Sequence, residues 1–141
     1  MPNVIPNVIP AVERLMTPGK HPLPWWVLAL ALAGLIFYLS ASPDARGVAG
    51  WLDLSHPRDK VVHGAAFAAL AGLVYMATGR PLLAVALASL YGLSDELHQA
   101  TVPGRVASVW DWLADTAGAA LAVGLLWLLL ARRRQGERKE G

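Results

Sequence analysis

Three short runs of the chain bring acids, bases and amides together at helical spacing: Asp59-Lys60-x-x-His63, Asp95-Glu96-x-His98-Gln99 and Asp111-x-x-x-Asp115, with Arg105 between the last two. Imidazole and carboxylate are the side chains of general acid–base chemistry and of sites for borderline divalent cations. Lysine and arginine beside them suit anionic oxygens. At 3.6 residues per turn, Asp59 shares a helix face with His63, Glu96 with Gln99, and Asp111 with Asp115. Three polar stripes are therefore expected. Cysteine is absent, which excludes disulfides, thiolate metal sites and a cysteine nucleophile.

The elements that must position these residues are apolar. Of 141 residues, 55% are hydrophobic and only 16% charged, and the mean hydropathy of +0.44 is too high for an ordinary soluble domain of this size. Crossing a bilayer takes about 20 apolar residues. Four runs qualify as spans, at about 25–41, 60–79, 81–100 and 108–131. The expected fold is all-α, an antiparallel bundle of four transmembrane helices over residues 23–131, between a proline-rich tail (1–22) and a basic cytoplasmic tail (132–141). The net charge of +2 does not imply a nucleic-acid partner. Arg132, Arg133, Arg134, Arg138 and Lys139 flank an apolar run, where basic residues anchor topology.

The tail opens with a tandem repeat, Pro2-Asn3-Val4-Ile5 and Pro6-Asn7-Val8-Ile9, whose prolines forbid a stable helix. It is read as disordered or interfacial, with Met16 as an alternative start. The first apolar run, Trp25 to Ala41, follows Arg14 and Lys20 and ends near the small Ser40 and Ser42 in the manner of a signal peptide. Pro43 argues against cleavage, and Trp25-Trp26 suits an interfacial belt, so a retained anchor is expected. Small residues recur in the second run (Gly64, Ala65, Ala68, Ala69, Gly72) and the fourth (Ala114, Gly118, Ala122), as in closely packed membrane helices. Pro81 opens the third run. Its apolar stretch, Leu82 to Leu93, is too short to span and must continue through Ser94, Asp95, Glu96, His98 and Gln99. Val102-Pro103-Gly104-Arg105 reads as a tight turn.

Connectivity places the start of the second run, the end of the third and the start of the fourth at one membrane face, so the polar stripes can converge on one cavity. Basic residues Arg14, Lys20, Arg80 and the C-terminal cluster lie on the opposite side. Arg46, Arg58, Lys60 and Arg105 share the polar face with nearby acids. The bias puts both termini in the cytoplasm and the cavity outside. An ionised group at mid-membrane costs roughly 2.5–3.5 kcal/mol, which favours charges that face one another or water. Local explanations suffice for some members. Asp59 suits a helix N-terminus, Ser108 with Asp111 has capping spacing, and Asp95 and His98 are read as interfacial, His98 as solvated. His63, Glu96 and Asp115 lie a turn or more inside the apolar region, where no cap accounts for them. Arg105 could neutralise Glu96 or Asp111 in a network that locks the helices. The alternative is a substrate or ion site.

These residues resemble the VanZ-like family of bacterial membrane proteins. The resemblance lies in Asp59-Lys60-x-x-His63, Glu96-x-x-Gln99, Pro103-Gly104-Arg105 and Asp111-x-x-x-Asp115-x-x-Gly118, and covers the chain from about Trp25 to Ala131. Asp115 stands where the family pattern leads one to expect asparagine, which makes this cluster more acidic. The resemblance implies a multi-pass protein of the bacterial cytoplasmic (inner) membrane. It also implies an association with low-level resistance to the glycopeptide teicoplanin, whose target is a cell-wall precursor outside the membrane.

Three functions are compatible with these residues. The first is binding or modulation of an envelope lipid or cell-wall precursor, with Lys60 and Arg105 meeting its anionic oxygens. The second is a membrane-embedded hydrolase or transferase acting on a lipid-linked substrate, with Glu96 or Asp111 as base and His63 as acid, or with His63, Glu96 and Asp111 holding a divalent metal. No His-Glu-x-x-His pattern is present, and neither Ser94 nor Ser108 has a base indicated by sequence. No other cofactor is expected. The third is a small permease acting as a homo-oligomer, for which the inner halves of the helices offer mainly Tyr75, Thr78 and Ser89.

Overall fold

A computed structural model describes residues 16–42 and 58–140. The N-terminal repeat, Arg14, Pro43 and Arg46 lie outside the described residues, as do the side chains of Arg58 and Asp59. Among the described residues there are four helices and no strand: α1 (Pro22–Ala41), α2 (Arg58–Thr78), α3 (Pro81–Gln99) and α4 (Val109–Glu140). α1 and α3 both have proline in their first turn, where the missing N–H would have had no helical acceptor. Three segments, Pro22–Ala41, Lys60–Thr78 and Val109–Arg133, are long and apolar enough to cross a membrane. α3 differs because its last turns are polar, from Ser94 to Gln99.

Two differences from the sequence reading concern the tails. The basic run after Arg132 is helical and extends α4 to Glu140, because Arg, Gln, Glu and Lys are good helix formers and no proline interrupts them. Residues 16–20, expected to belong to a disordered or interfacial tail, instead turn back onto the α2–α3 corner. The Gly19 N–H donates to the Met76 carbonyl at 2.8 Å. Gly19 and Gly79 meet there with φ of +79° and +67°. A Cβ on Gly79 would stand 3.2 Å from the Pro18 carbonyl oxygen, so the crossing requires glycine for both conformation and space.

α2 packs against all three other helices, most extensively against α4. Since the helices alternate in direction, α2 and α4 run parallel and their pairings advance together. Gly64 faces Ala114 and Gly118, and Gly72 faces Leu126. Ala71, Ala84, Ala88 and Ala119 are buried with Phe67, Leu70, Val74 and Val123. This small-residue core suits helices whose association rests on close packing rather than on expulsion from water. Leu28, Leu82, Leu90, Leu121 and Leu125 point outward, as expected for lipid-facing positions. Trp25, Trp26 and Trp127 lie toward one end of the bundle, and Trp110 and Trp112 toward the other. At 1.5 Å per residue, Trp110 and Trp127 are about 25 Å apart along α4, close to the thickness separating two aromatic belts.

Candidate functional site

The expected turn between α3 and α4 is present. The Arg105 N–H donates to the Val102 carbonyl at 3.1 Å, and Gly104 has a φ of +81°, which the third position of such a turn demands. This short connection returns the chain at once, so the end of α3 and the start of α4 share a face with the start of α2. The end of α1 reaches that face too.

The polar residues gathered there form two networks rather than the single convergence expected. The first joins α1 to α3. Ser40 Oγ donates to Asp95 Oδ2 at 2.8 Å. Gln99 Nε2 donates to the same oxygen at 2.9 Å and to Ser40 Oγ at 3.3 Å. Arg105 Nη2 donates to Gln99 Oε1 at 3.0 Å. Asp95, read from sequence as interfacial, is buried to 2% exposure against α1. Gln99 shares this network with Asp95 instead of lining up with Glu96. Positions four apart on a helix differ by only about 40° in direction, against about 60° for positions three apart. His98, expected to be solvated, stacks on Phe37 of α1 with ring centroids 4.5 Å apart. Arg105 is engaged with Gln99, which replaces the expected pairing with Glu96 or Asp111.

The second network lies between α2, α3 and α4. Its pairings follow the parallel run of α2 and α4: Lys60 Nζ with Asp111 Oδ1 in an ion pair, then His63 Nδ1 with Asp115 Oδ1 at 3.4 Å. Ser108 and Asp111 do not form the expected capping exchange through the Asp111 carboxylate, which Lys60 holds. The Ser108 N–H is taken instead by Glu96 Oε2 of α3, at 2.6 Å. A carboxylate from a neighbouring helix thus supplies the acceptor at the start of α4, where the free N–H groups favour negative charge.

Asp115 is fully buried and Glu96 almost so. Glu96 Oε1 and Asp115 Oδ2 have no hydrogen-bond partner among the described residues, and Asp115 Oδ1 has the 3.4 Å contact with His63. A buried acceptor left in this way costs about 1–3 kcal/mol, and more when charged. Gly92 makes space beside them, since a Cβ there would lie 3.2 Å from Asp115 Oδ2 and 3.2 Å from the Phe67 ring. One donor atom each from His63, Glu96 and Asp115 lies within 4.8 Å of the others. The set that could hold a metal therefore includes Asp115 in place of Asp111.

Of the residues singled out from sequence, Lys60, His63, Glu96, Asp111 and Asp115 meet in this second network, and Gln99 and Arg105 belong to the first. Asp59 lies in the first turn of α2, with its side chain outside the described residues. Ser40 was missed as a site residue. Its signal was its place in the last turn of α1, which connectivity assigns to the polar face. Deeper in the bundle, Ser89 Oγ and Thr116 Oγ1 are 2.8 Å apart, and Trp112 Nε1 donates to the Ser89 carbonyl at 3.1 Å. Thr78 Oγ1 returns to its own helix, at the Val74 carbonyl. These pairings join Ser89 to α4 and hold Thr78 on its own helix.

Helices of membrane-spanning character that enclose ionisable residues at one end define an integral-membrane class of protein with a polar site near one face. Residues 25–130 match the family model VanZ/LLP1, and the chain belongs to that VanZ-like family. No curated protein and no solved structure matches it significantly.

Proposed function

We propose that this protein is a four-span protein of the bacterial inner membrane that binds or modulates the polar head group of an envelope lipid or cell-wall precursor. α3 completes the four spans. It has 19 residues, about 28 Å at 1.5 Å per residue, and packs against α1, α2 and α4. Asp95, Glu96 and Gln99 of its last turns are buried against those helices, while Ser94 is exposed. Both termini are cytoplasmic in this reading, so the polar face opens outward, toward the compartment of the cell-wall precursor. The family's association with teicoplanin resistance is consistent with that side.

The observation that carries the proposal is the arrangement of charge at this face. Half-buried Lys60 and Arg105 occur with the buried acids Glu96, Asp111 and Asp115, which gives anionic and hydroxyl groups of a head group both donors and acceptors. The test is mass spectrometry of protein extracted gently from its own membrane, alongside teicoplanin susceptibility of cells carrying each form. The wild type should retain one enriched lipid, and Arg105→Ala should lose both the lipid and the susceptibility phenotype. The same lipid profile for both proteins would refute it.

A second reading is a hydrolase or transferase acting on a lipid-linked substrate. Its support is the burial of Glu96 and Asp115 with partnerless oxygens close to His63, because a carboxylate and an imidazole in such surroundings suit proton transfer.

A further inference from the structure

We propose that His63, Glu96 and Asp115 form a binding site for one divalent transition-metal cation, of the Zn2+ or Mn2+ type, between α2, α3 and α4. The inference does not depend on the head-group reading. It begins from three donors on three helices, one imidazole nitrogen and two carboxylate oxygens, all within 4.8 Å of one another. Metal–ligand distances of about 2.0–2.2 Å separate the donors of a four-coordinate ion by about 3.4 Å. Rotations of the carboxylates and the ring would close the difference.

An independent observation points to a ligand. Asp115 is fully buried, Glu96 is 5% exposed, and Glu96 Oε1 and Asp115 Oδ2 have no hydrogen-bond partner among the described residues. The neighbouring cation does not answer this, because Lys60 pairs with Asp111. The surroundings also suit an ion. Ser108 N–H holds the other oxygen of Glu96 at 2.6 Å, as hydrogen bonds hold the carboxylates of metal sites in position. Gly92 leaves Asp115 Oδ2 uncrowded, since a side chain there would begin 3.2 Å from it. A mixed nitrogen and oxygen set favours Zn2+ or Mn2+ over Ca2+ and Mg2+, which prefer oxygen alone. Three protein ligands leave at least one coordination position for water or an external oxygen.

The experiment uses full-length protein purified in mild detergent without chelator. Elemental analysis should find roughly one transition-metal ion per chain, as a single three-ligand site requires. Stripped wild-type protein should rebind Zn2+ or Mn2+, followed by tryptophan fluorescence, since Trp112 lies between Asp111 and Asp115 on α4. His63→Ala, Glu96→Gln and Asp115→Asn should each weaken binding roughly a hundredfold or more, at least the largest effect of losing an outer-sphere partner. Ser40→Ala, in the other network, should bind as the wild type does. Stripped wild-type protein that rebinds neither ion at micromolar concentration would overturn the proposal, even if the variants do not fold. So would binding that all three substitutions leave unchanged, which would place the ion elsewhere. Because this binding is read without lipid, a missing metal leaves the head-group proposal standing, and a missing lipid leaves this one standing.

Discussion

Replacing Gly118 by alanine should damage both the bundle and the site, while the same change at Gly124, on the same helix, should do neither. A Cβ on Gly118 would run into the carbonyl oxygen, carbonyl carbon and Cα of Gly64, whereas one on Gly124 meets nothing within 4 Å. The obstructing atoms are backbone and cannot rotate aside, so α2 and α4 must separate. Overpacking of a close contact typically costs about 1–3 kcal/mol. Alanine's helix preference, worth about 0.8–1.0 kcal/mol over glycine, offsets part of that at Gly118 and acts alone at Gly124. Gly118→Ala should therefore be destabilised by up to about 2 kcal/mol, and Gly124→Ala should be stabilised by up to about 1 kcal/mol. Thermal unfolding in detergent, followed by circular dichroism, measures both. His63 adjoins Gly64 and Asp115 lies one turn before Gly118, so separating the helices should also lengthen the 3.4 Å His63–Asp115 contact. Equal melting temperatures for the two variants would refute the assigned crossing point.

Two further changes examine the networks. Lys60→Met should destabilise the protein by about 1–3 kcal/mol, below the 3–5 kcal/mol of a deeply buried pair, because the Lys60 side chain is 31% exposed. The double change Lys60→Met with Asp111→Asn should recover most of that loss, and simple additivity in the melting data would show that the two are not coupled. Ser40→Ala should cost about 1 kcal/mol through the lost hydrogen bond to Asp95. Metal retention should be unaffected, and a variant that lost it would show that the two networks act as one.

The helices were legible in the sequence because apolar runs and their punctuation survive almost any packing. Pro81 and Gly104 act where they were expected to, since each solves a local backbone problem. Which polar residues share a face was legible only through connectivity, and partner choice was not legible at all. Asp95 and Glu96 are neighbours in sequence yet belong to different networks, a division set by how α3 is rotated between α1 and α4. Period alone assigns directions relative to a helix axis, and the rotation of that axis depends on the packing of Phe67, Tyr91 and the buried alanines. Ser40 was hidden for another reason. One serine in an apolar helix has no spacing, and its role appears only when the ends of α1 and α3 are placed side by side.

The glycine contact and the polar site are parts of one arrangement. Because α2 and α4 run parallel, the residues that pair along them keep nearly constant spacing: Lys60 with Asp111, His63 with Asp115, and Gly64 beside Gly118. The ionisable pairs therefore stand immediately outside the point of closest approach. Close backbones bring short side chains within reach of one another, and that reach is what allows Asp115 to be fully buried while still meeting His63. Glu96 enters from the third side and takes the Ser108 N–H, which ties the start of α4 to α3. Any change that widens the α2–α4 crossing should open the His63, Glu96 and Asp115 set, whereas a change at Ser40 acts only on the clamp between α1 and α3. Bundle stability and site geometry should consequently vary together at Gly118 and separately at Ser40.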